Sequence, residues 1–176
     1  MAENTETATL GNGCFWCTEA IFQNVPGVIS VESGYSGGRT ENPTYKDICT
    51  GTTDHAECLK IDFDPSKVSF EEILKVFWET HDPTTPNRQG NDVGTQYRSI
   101  IFYHNDAQNE TAKAMKKTLD ESGTFSSPIV TLTEPAGVFY KAENYHQDYY
   151  NQNKSAPYCQ FVVRPKLDKF LSKKSA

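Results

Sequence analysis

The spacing of apolar residues changes several times along this chain, and each change marks a new element. Thr7-Ala8-Thr9-Leu10-Gly11 reads as a short strand, and after Cys17 the residues Ile21, Phe22 and Val25 recur at helical spacing until Pro26-Gly27 breaks the run. Residues 28–35 are rich in β-branched side chains and predict a strand. Residues 56–63 alternate, with Leu59, Ile61 and Phe63 on one face and Cys58 and Lys60 on the other. Glu57 falls on the apolar face, an unusual place for a carboxyl. Ser69-Phe70-Glu71-Glu72 has the form of a capping box opening a helix, whose stripe is Phe70, Ile73, Leu74, Phe77 and Trp78. Strands are expected at 97–103 and 129–133, with a helix over 106–122 between them. The tyrosine-rich stretch 140–150 predicts a short helix, followed by a turn near Pro157 and a last helix over 167–172. Residues 36–53 and 81–95, punctuated by glycine and proline, read as two long loops, and long ordered loops are often functional.

The order β-α-β, β-α-β, α-β predicts an α+β fold: a two-layer, ferredoxin-like βαβ-βαβ plait with long surrounding loops and an irregular C-terminal tail. A chain of 176 residues suits one domain, 1–176, with residues 1–6 as a flexible tail. The net charge of −6, with no lysine- and arginine-rich face, argues against nucleic acid and anionic membrane as partners. No apolar run approaches the roughly 20 residues of a membrane span. The polar, acidic start lacks the basic and apolar regions of a signal peptide, so the expected compartment is the cytoplasm and the expected state a monomer. Five cysteines, an odd number, argue against a disulfide framework and for free, buried or catalytic thiols.

The chemistry centres on Gly11-Asn12-Gly13-Cys14-Phe15-Trp16-Cys17. Two glycines permit a sharp turn, and Cys14 then stands at or just before a helix N-terminus, where unpaired N–H groups favour an anion. A thiol so placed is expected to ionise below the ordinary value of about 8.5 and to be reactive. Zinc binding wants a second cysteine or histidine pair at suitable spacing, which Cys49, Cys58 and the scattered histidines do not supply, so no metal and no cofactor is expected. A thioredoxin-type dithiol fits better, but its motif rarely holds two bulky aromatics between the cysteines. Phe15 and Trp16 read either as a hydrophobic wall beside the thiol or as ordinary core residues.

A longer pattern separates these readings. Gly13-Cys14-Phe15-Trp16 resembles the reactive motif of the A-type peptide methionine sulfoxide reductases. Gly34-Tyr35-Ser36-Gly37-Gly38, Asn42-Pro43-Thr44-Tyr45, His55-Ala56-Glu57, His81-Asp82-Pro83-Thr84, the run from Gln89 to Ser99, and Ala142-Glu143-Asn144-Tyr145-His146-Gln147 resemble further motifs of that family, in family order. The resemblance implies reduction of methionine S-sulfoxide, free or in proteins, by Cys14 as nucleophile through a sulfenic acid. It further implies Glu57 as the acid that protonates the sulfoxide oxygen, Tyr45 and Tyr97 as phenols that hydrogen-bond this oxygen, and Asp92 as an acidic residue that orients water or Cys14. Phe15 and Trp16 would hold the substrate's methyl group, and a thioredoxin-type dithiol protein would recycle the enzyme. Burial of Glu57 on its apolar strand face would keep its proton available near neutral pH. His55, His81 and His146 are expected to be structural, and Cys49 and Cys58 to be inert buried thiols.

Two departures from the family pattern bear on this reading. Asp54 replaces the usual Gly before His-Ala-Glu, and either raises the pKa of Glu57 or faces solvent. Cys17 stands where most members have Gly, and Pro157-Tyr158-Cys159 holds the place of the usual Gly-Tyr-Cys. Cys17, three residues on and on the same helical face, is the expected resolving cysteine on grounds of proximity, with Cys159 as the alternative. A generic dithiol–disulfide oxidoreductase and a non-catalytic zinc-binding or redox module are the rival readings.

Overall fold

The structure, a computed structural model, describes residues 5–90 and 92–174. Met1 to Asn4, part of the expected tail, and Asn91, part of the Gln89–Ser99 run, lie outside the described residues. In chain order the main elements are β1 (Glu6–Asn12), α1 (Phe15–Phe22), β2 (Val28–Ser36), α2 (Tyr45–Cys49), β3 (Ala56–Phe63), α3 (Phe70–Glu79), β4 (Arg88–Gln89), β5 (Asp92–Val93), β6 (Ser99–Tyr103), α4 (Asp106–Ser122), β7 (Leu132–Pro135), β8 (Phe139–Lys141), α5 (Tyr149–Gln152) and α6 (Arg164–Lys174). Six strands form one mixed sheet in the order β7-β6-β1-β3-β2-β8, with β6 and β7 parallel and the other pairs antiparallel. With helices packed against this sheet, the fold is α+β.

The alternation read in residues 56–63 sorts β3 as expected. Leu59, Ile61 and Phe63 join the main core with Ala8 and Leu10 of β1, Phe15 and Phe22 of α1, and Ile73, Leu74, Phe77 and Trp78 of α3. Cys58 points to the opposite face, with Ala56, Ile100 and Phe102. The capping box of α3 forms in both directions: Ser69 Oγ accepts from Glu72 N at 3.1 Å, and Glu72 Oε1 accepts from Ser69 N at 3.2 Å.

The long segments differ from their sequence reading. Residues 36–53 contain α2, whose own capping box joins Thr44 and Asp47. Residues 81–95 contain the small β4–β5 ribbon. Tyr97 ends a 3-10 turn rather than opening β6, and β7 starts three residues after the expected 129. Residues 140–150 divide between β8, a 3-10 turn (Asn144–His146) and α5, while the last helix begins at Arg164 behind a π-helical segment, Cys159–Val163. Glu6 pairs with Phe63, so the sheet already includes a residue of the stretch expected to be a tail. Among the described residues, no helix is long and apolar enough to cross a membrane.

These C-terminal elements make a second core on α1. Cys14, Cys17, Ala20 and Ile21 pack with Tyr150, Cys159, Val163 and Leu167. Burial of nearly the whole of α1 between the sheet and this layer explains why its apolar stripe was broader than Ile21, Phe22 and Val25.

Candidate active site

The turn from β1 into α1 needs Gly13. Its φ of +106° is one that side chains rarely adopt, and a Cβ there would lie 2.8 Å from Gln89 Cγ. Asn12 accepts a hydrogen bond from the Thr18 hydroxyl, closing the turn. Cys14 then caps α1 in extended conformation (φ −61°, ψ 124°), one residue outside the helix. The expected same-face spacing of Cys14 and Cys17 within a helix is therefore corrected. The two thiols nonetheless lie in one buried cluster and act on each other, because the Cys14 carbonyl accepts from Cys17 N at 3.2 Å and closes the first turn.

The expectation of a lowered Cys14 pKa is overturned. Burial, to 9% exposure, pushes the thiol well up, and the Cys17 thiol and the Glu57 carboxyl add to the rise. The helix N-terminus does not offset this because its first N–H is engaged elsewhere: Phe15 N donates to Glu57 Oε1 at 3.2 Å. Cys17 is lowered instead, first by its bond with Cys14 and then by Lys166 of α6 and Tyr158.

Glu57 is 1% exposed. Burial raises its carboxyl from 4.5 to about 8 against the pull of the Phe15 N–H, so at neutral pH it is mostly protonated. Its second oxygen, Oε2, is buried without a hydrogen-bond partner. A buried polar atom left unpaired in a native fold calls for an explanation, and one facing a reactive thiol is placed to give its proton to a ligand.

Tyr45 and Tyr97 are half-buried, and both phenols are raised, first by burial and then by Glu57; Cys14 acts on each as well. Tyr45 opens α2 and is held there by Glu143, whose Oε2 accepts from Tyr45 N at 2.9 Å while Oε1 accepts from the Tyr35 hydroxyl at 3.0 Å. Asp92 reaches the thiols through another residue: its Oδ2 accepts from the Tyr158 hydroxyl at 2.8 Å. Phe15, buried against Tyr35 and His146, belongs to the main core. Trp16 is half-buried, stacked on Tyr149 at 3.9 Å and 13°, and met edge-on by Tyr158. Its indole N–H donates to His146 Nδ1 at 3.0 Å. The described residues thus bring Cys14, Cys17, Glu57, Tyr45, Tyr97, Asp92, Phe15, Trp16 and Cys159 to one place, where Cys159 is fully buried beside Cys14 and Cys17.

Two residues of this place, Glu19 and Tyr149, were not singled out from sequence; Tyr158 was read only as part of Pro157-Tyr158-Cys159, and His146, expected to be structural, bonds Trp16. Glu19, buried in α1, accepts from Asp148 N at 2.9 Å and Tyr149 N at 3.1 Å, and so sets Tyr149 over Trp16. The signal available in the sequence was the density of tyrosines after residue 140 and the Tyr158-Cys159 pair.

The remaining expected residues are accounted for individually. Cys49 is exposed at the end of α2, not buried as expected, since only Ile48 of that short helix faces inward. Cys58 is buried, and its thiol is pushed up by that burial. Asp54 faces solvent and pairs with Arg39 at 2.6 Å. Its φ of +62° explains why glycine suits the position, since aspartate is among the few other residues that tolerate it. His55 accepts from Gly38 N and is bonded to Thr40 O, and His81 bridges Phe77 O and the Ser99 hydroxyl. No group of three or more potential metal-binding side chains occurs among the described residues.

Comparison with known proteins agrees with this geometry. The family model described as peptide methionine sulfoxide reductase matches residues 6–176. The peptide methionine sulfoxide reductase MsrA of Saccharolobus solfataricus is 56% identical over 166 residues, covering 94% of this chain and 93% of that protein. Among solved structures, reduced Mxr1 from Saccharomyces cerevisiae superposes with a TM-score of 0.81 at 37% identity, covering 88% of this chain and 89% of that one. Mxr1 in complex with Trx2 superposes with a TM-score of 0.58 at 28% identity, over 82% of this chain and 84% of that one. The chain belongs to the peptide methionine sulfoxide reductase family, on its A-type branch, and is an oxidoreductase that returns methionine sulfoxide to methionine.

Proposed function

We propose that Cys14 is the nucleophile and Glu57 the general acid of this reduction, acting on the S epimer of methionine sulfoxide. The observation that carries the reading is the unpartnered, buried Oε2 of Glu57 beside Cys14, on a carboxyl that keeps its proton near neutral pH. Cys14, ionised, attacks the sulfoxide sulfur while Glu57 gives its proton to the oxygen. The oxygen passes to Cys14 as a sulfenic acid, and methionine leaves with its sulfur reduced by two electrons. Tyr45 and Tyr97 donate to the sulfoxide oxygen as its charge grows, a role supported by their shared proximity to Glu57 and Cys14. Trp16 and Phe15 hold the methyl group, and Asp92 orients the thiol site through its bonded neighbours.

Cys17 resolves the intermediate: its thiol forms an S–S bond with Cys14 and water leaves. Its place beside Cys14 in one buried cluster and its lowered pKa support this, and Cys159, in the same cluster, is the alternative or the next partner. A thioredoxin-type dithiol then reduces the disulfide, a reading supported by the Mxr1–Trx2 complex among similar structures. The antiparallel order β6-β1-β3-β2, with α1 and α3 as crossovers, supports a ferredoxin-like plait at the centre of a single 1–176 domain. A cytoplasmic monomer fits the acidic composition.

Single-turnover assay with methionine S-sulfoxide and no reductant tests the nucleophile. The parent releases one equivalent of methionine and the Cys14→Ser variant none; methionine from the variant refutes the thiol mechanism.

A further inference from the structure

The C-terminal segment carries a group to the thiols that the reaction above leaves unused. The Tyr158 hydroxyl donates to Asp92 Oδ2 at 2.8 Å, and its ring meets Trp16 edge-on with centroids 5.5 Å apart. Tyr158 packs against the buried cluster that holds Cys14 and Cys17, and its phenol acts on both thiols. A phenol has one proton to give and lone pairs to receive others. While Asp92 holds that proton, the oxygen serves the sulfurs as an acceptor and favours a protonated thiol. When the proton turns to a sulfur, it stabilises a thiolate there, and Asp92 is left without this donor.

We propose that Tyr158 is a positioning residue of this reaction: its phenol ties the Asp92 carboxylate to the Cys14–Cys17 pair and steers the negative charge between the two sulfurs. The proposal rests on Cys14 as nucleophile and Cys17 as its resolving partner. Attack on the sulfoxide needs the charge on Cys14, so a proton must pass from Cys14 to Cys17; resolution needs the charge back on Cys17. No electron moves in either shift. Around the pair, Glu57 of β3 and Asp92 of β5 oppose a thiolate, while Lys166 of α6 favours one at Cys17. The phenols of Tyr45, Tyr97 and Tyr149 face Cys14, and Cys159 faces Cys17. Among these groups Tyr158 bonds an anion and acts on both thiols, which is what a device for moving charge between them requires.

The test is titration of thiolate absorbance in the far ultraviolet. Tyr158→Phe keeps the ring against Trp16 and removes the hydroxyl; the midpoint of the pair rises by about one pH unit. Asp92→Asn leaves the phenol a neutral amide oxygen, a weaker acceptor than the carboxylate, so the phenol turns more to the sulfurs and the midpoint falls; in the Tyr158→Phe background most of that fall disappears. Near-ultraviolet circular dichroism unchanged from the parent shows that Trp16 keeps its packing. Coincident titrations of Tyr158→Phe and the parent overturn the proposal, as does an Asp92→Asn shift undiminished by Tyr158→Phe. Failure of the nucleophile assignment shows separately, as methionine released by Cys14→Ser.

Discussion

Replacement of Glu57 by Gln separates its proposed catalytic role from its structural cost. The side chain keeps its shape, and its oxygen still accepts from Phe15 N. What disappears is the ionisable proton. Burial raises the Glu57 carboxyl from 4.5 to about 8 in the folded protein. A group raised in this way lends stability that is complete below the unfolded value and is lost as pH rises through the folded one. The gap of about 3.5 pH units, at about 1.4 kcal/mol each, amounts to roughly 5 kcal/mol between pH 4 and pH 9, and to about 3 kcal/mol by pH 7. Glu57→Gln does not bear this loss. Its stability relative to the parent, followed by urea unfolding, should therefore climb steadily from pH 5 to pH 8. Over the same range single-turnover methionine formation should fall by roughly 10²–10⁴, the usual worth of a general acid. A stability difference that stays flat with pH would show that the carboxyl carries no such penalty. Activity within tenfold of the parent would remove Glu57 from the acid role.

The resolving thiol and the approach to Glu57 can be probed similarly. After one turnover without reductant, mass mapping should find a Cys14–Cys17 disulfide; a Cys14–Cys159 bridge in the parent, undiminished in Cys17→Ser, rejects Cys17 as the first partner. Gly38→Ala would place a Cβ 2.4 Å from Thr53 O and 2.3 Å from His55 N. Both are backbone atoms, so the loop entering β3 must shift, costing about 1–3 kcal/mol and displacing His55-Ala56-Glu57. Unfolding free energies within 0.5 kcal/mol of each other, roughly the scatter of neutral surface changes, would show that this loop yields freely.

The legibility of the sequence varied with the range of the forces involved. The two faces of β3 and the cap of α3 follow from period-two alternation and a four-residue hydrogen-bond motif, so both were readable in the chain. The odd position of Glu57 among Leu59, Ile61 and Phe63 was readable for the same reason. α2 was hidden because five residues bracketed by a proline and glycines leave no period to detect. Cys14 was misjudged as an acidic thiol because a helix start is local, whereas its desolvation and the diversion of Phe15 N to Glu57 depend on β3 arriving from 42 residues away.

By itself the sequence determined β1, β2, β3 and β6, the helices α3 and α4, the family motif around Cys14, and the chemical types of a thiol, a buried acid and two phenols, since each is written in local spacing or in motifs kept in order. Tertiary structure alone decided what surrounds that thiol. Tyr158, Tyr149 and His146 meet Trp16 across more than a hundred residues, and they do so because Glu19 and the second core on α1 fold the C-terminal segment back over the site. No periodicity in either segment encodes that meeting. It arises from the burial of apolar and aromatic surface that neither segment can hide alone.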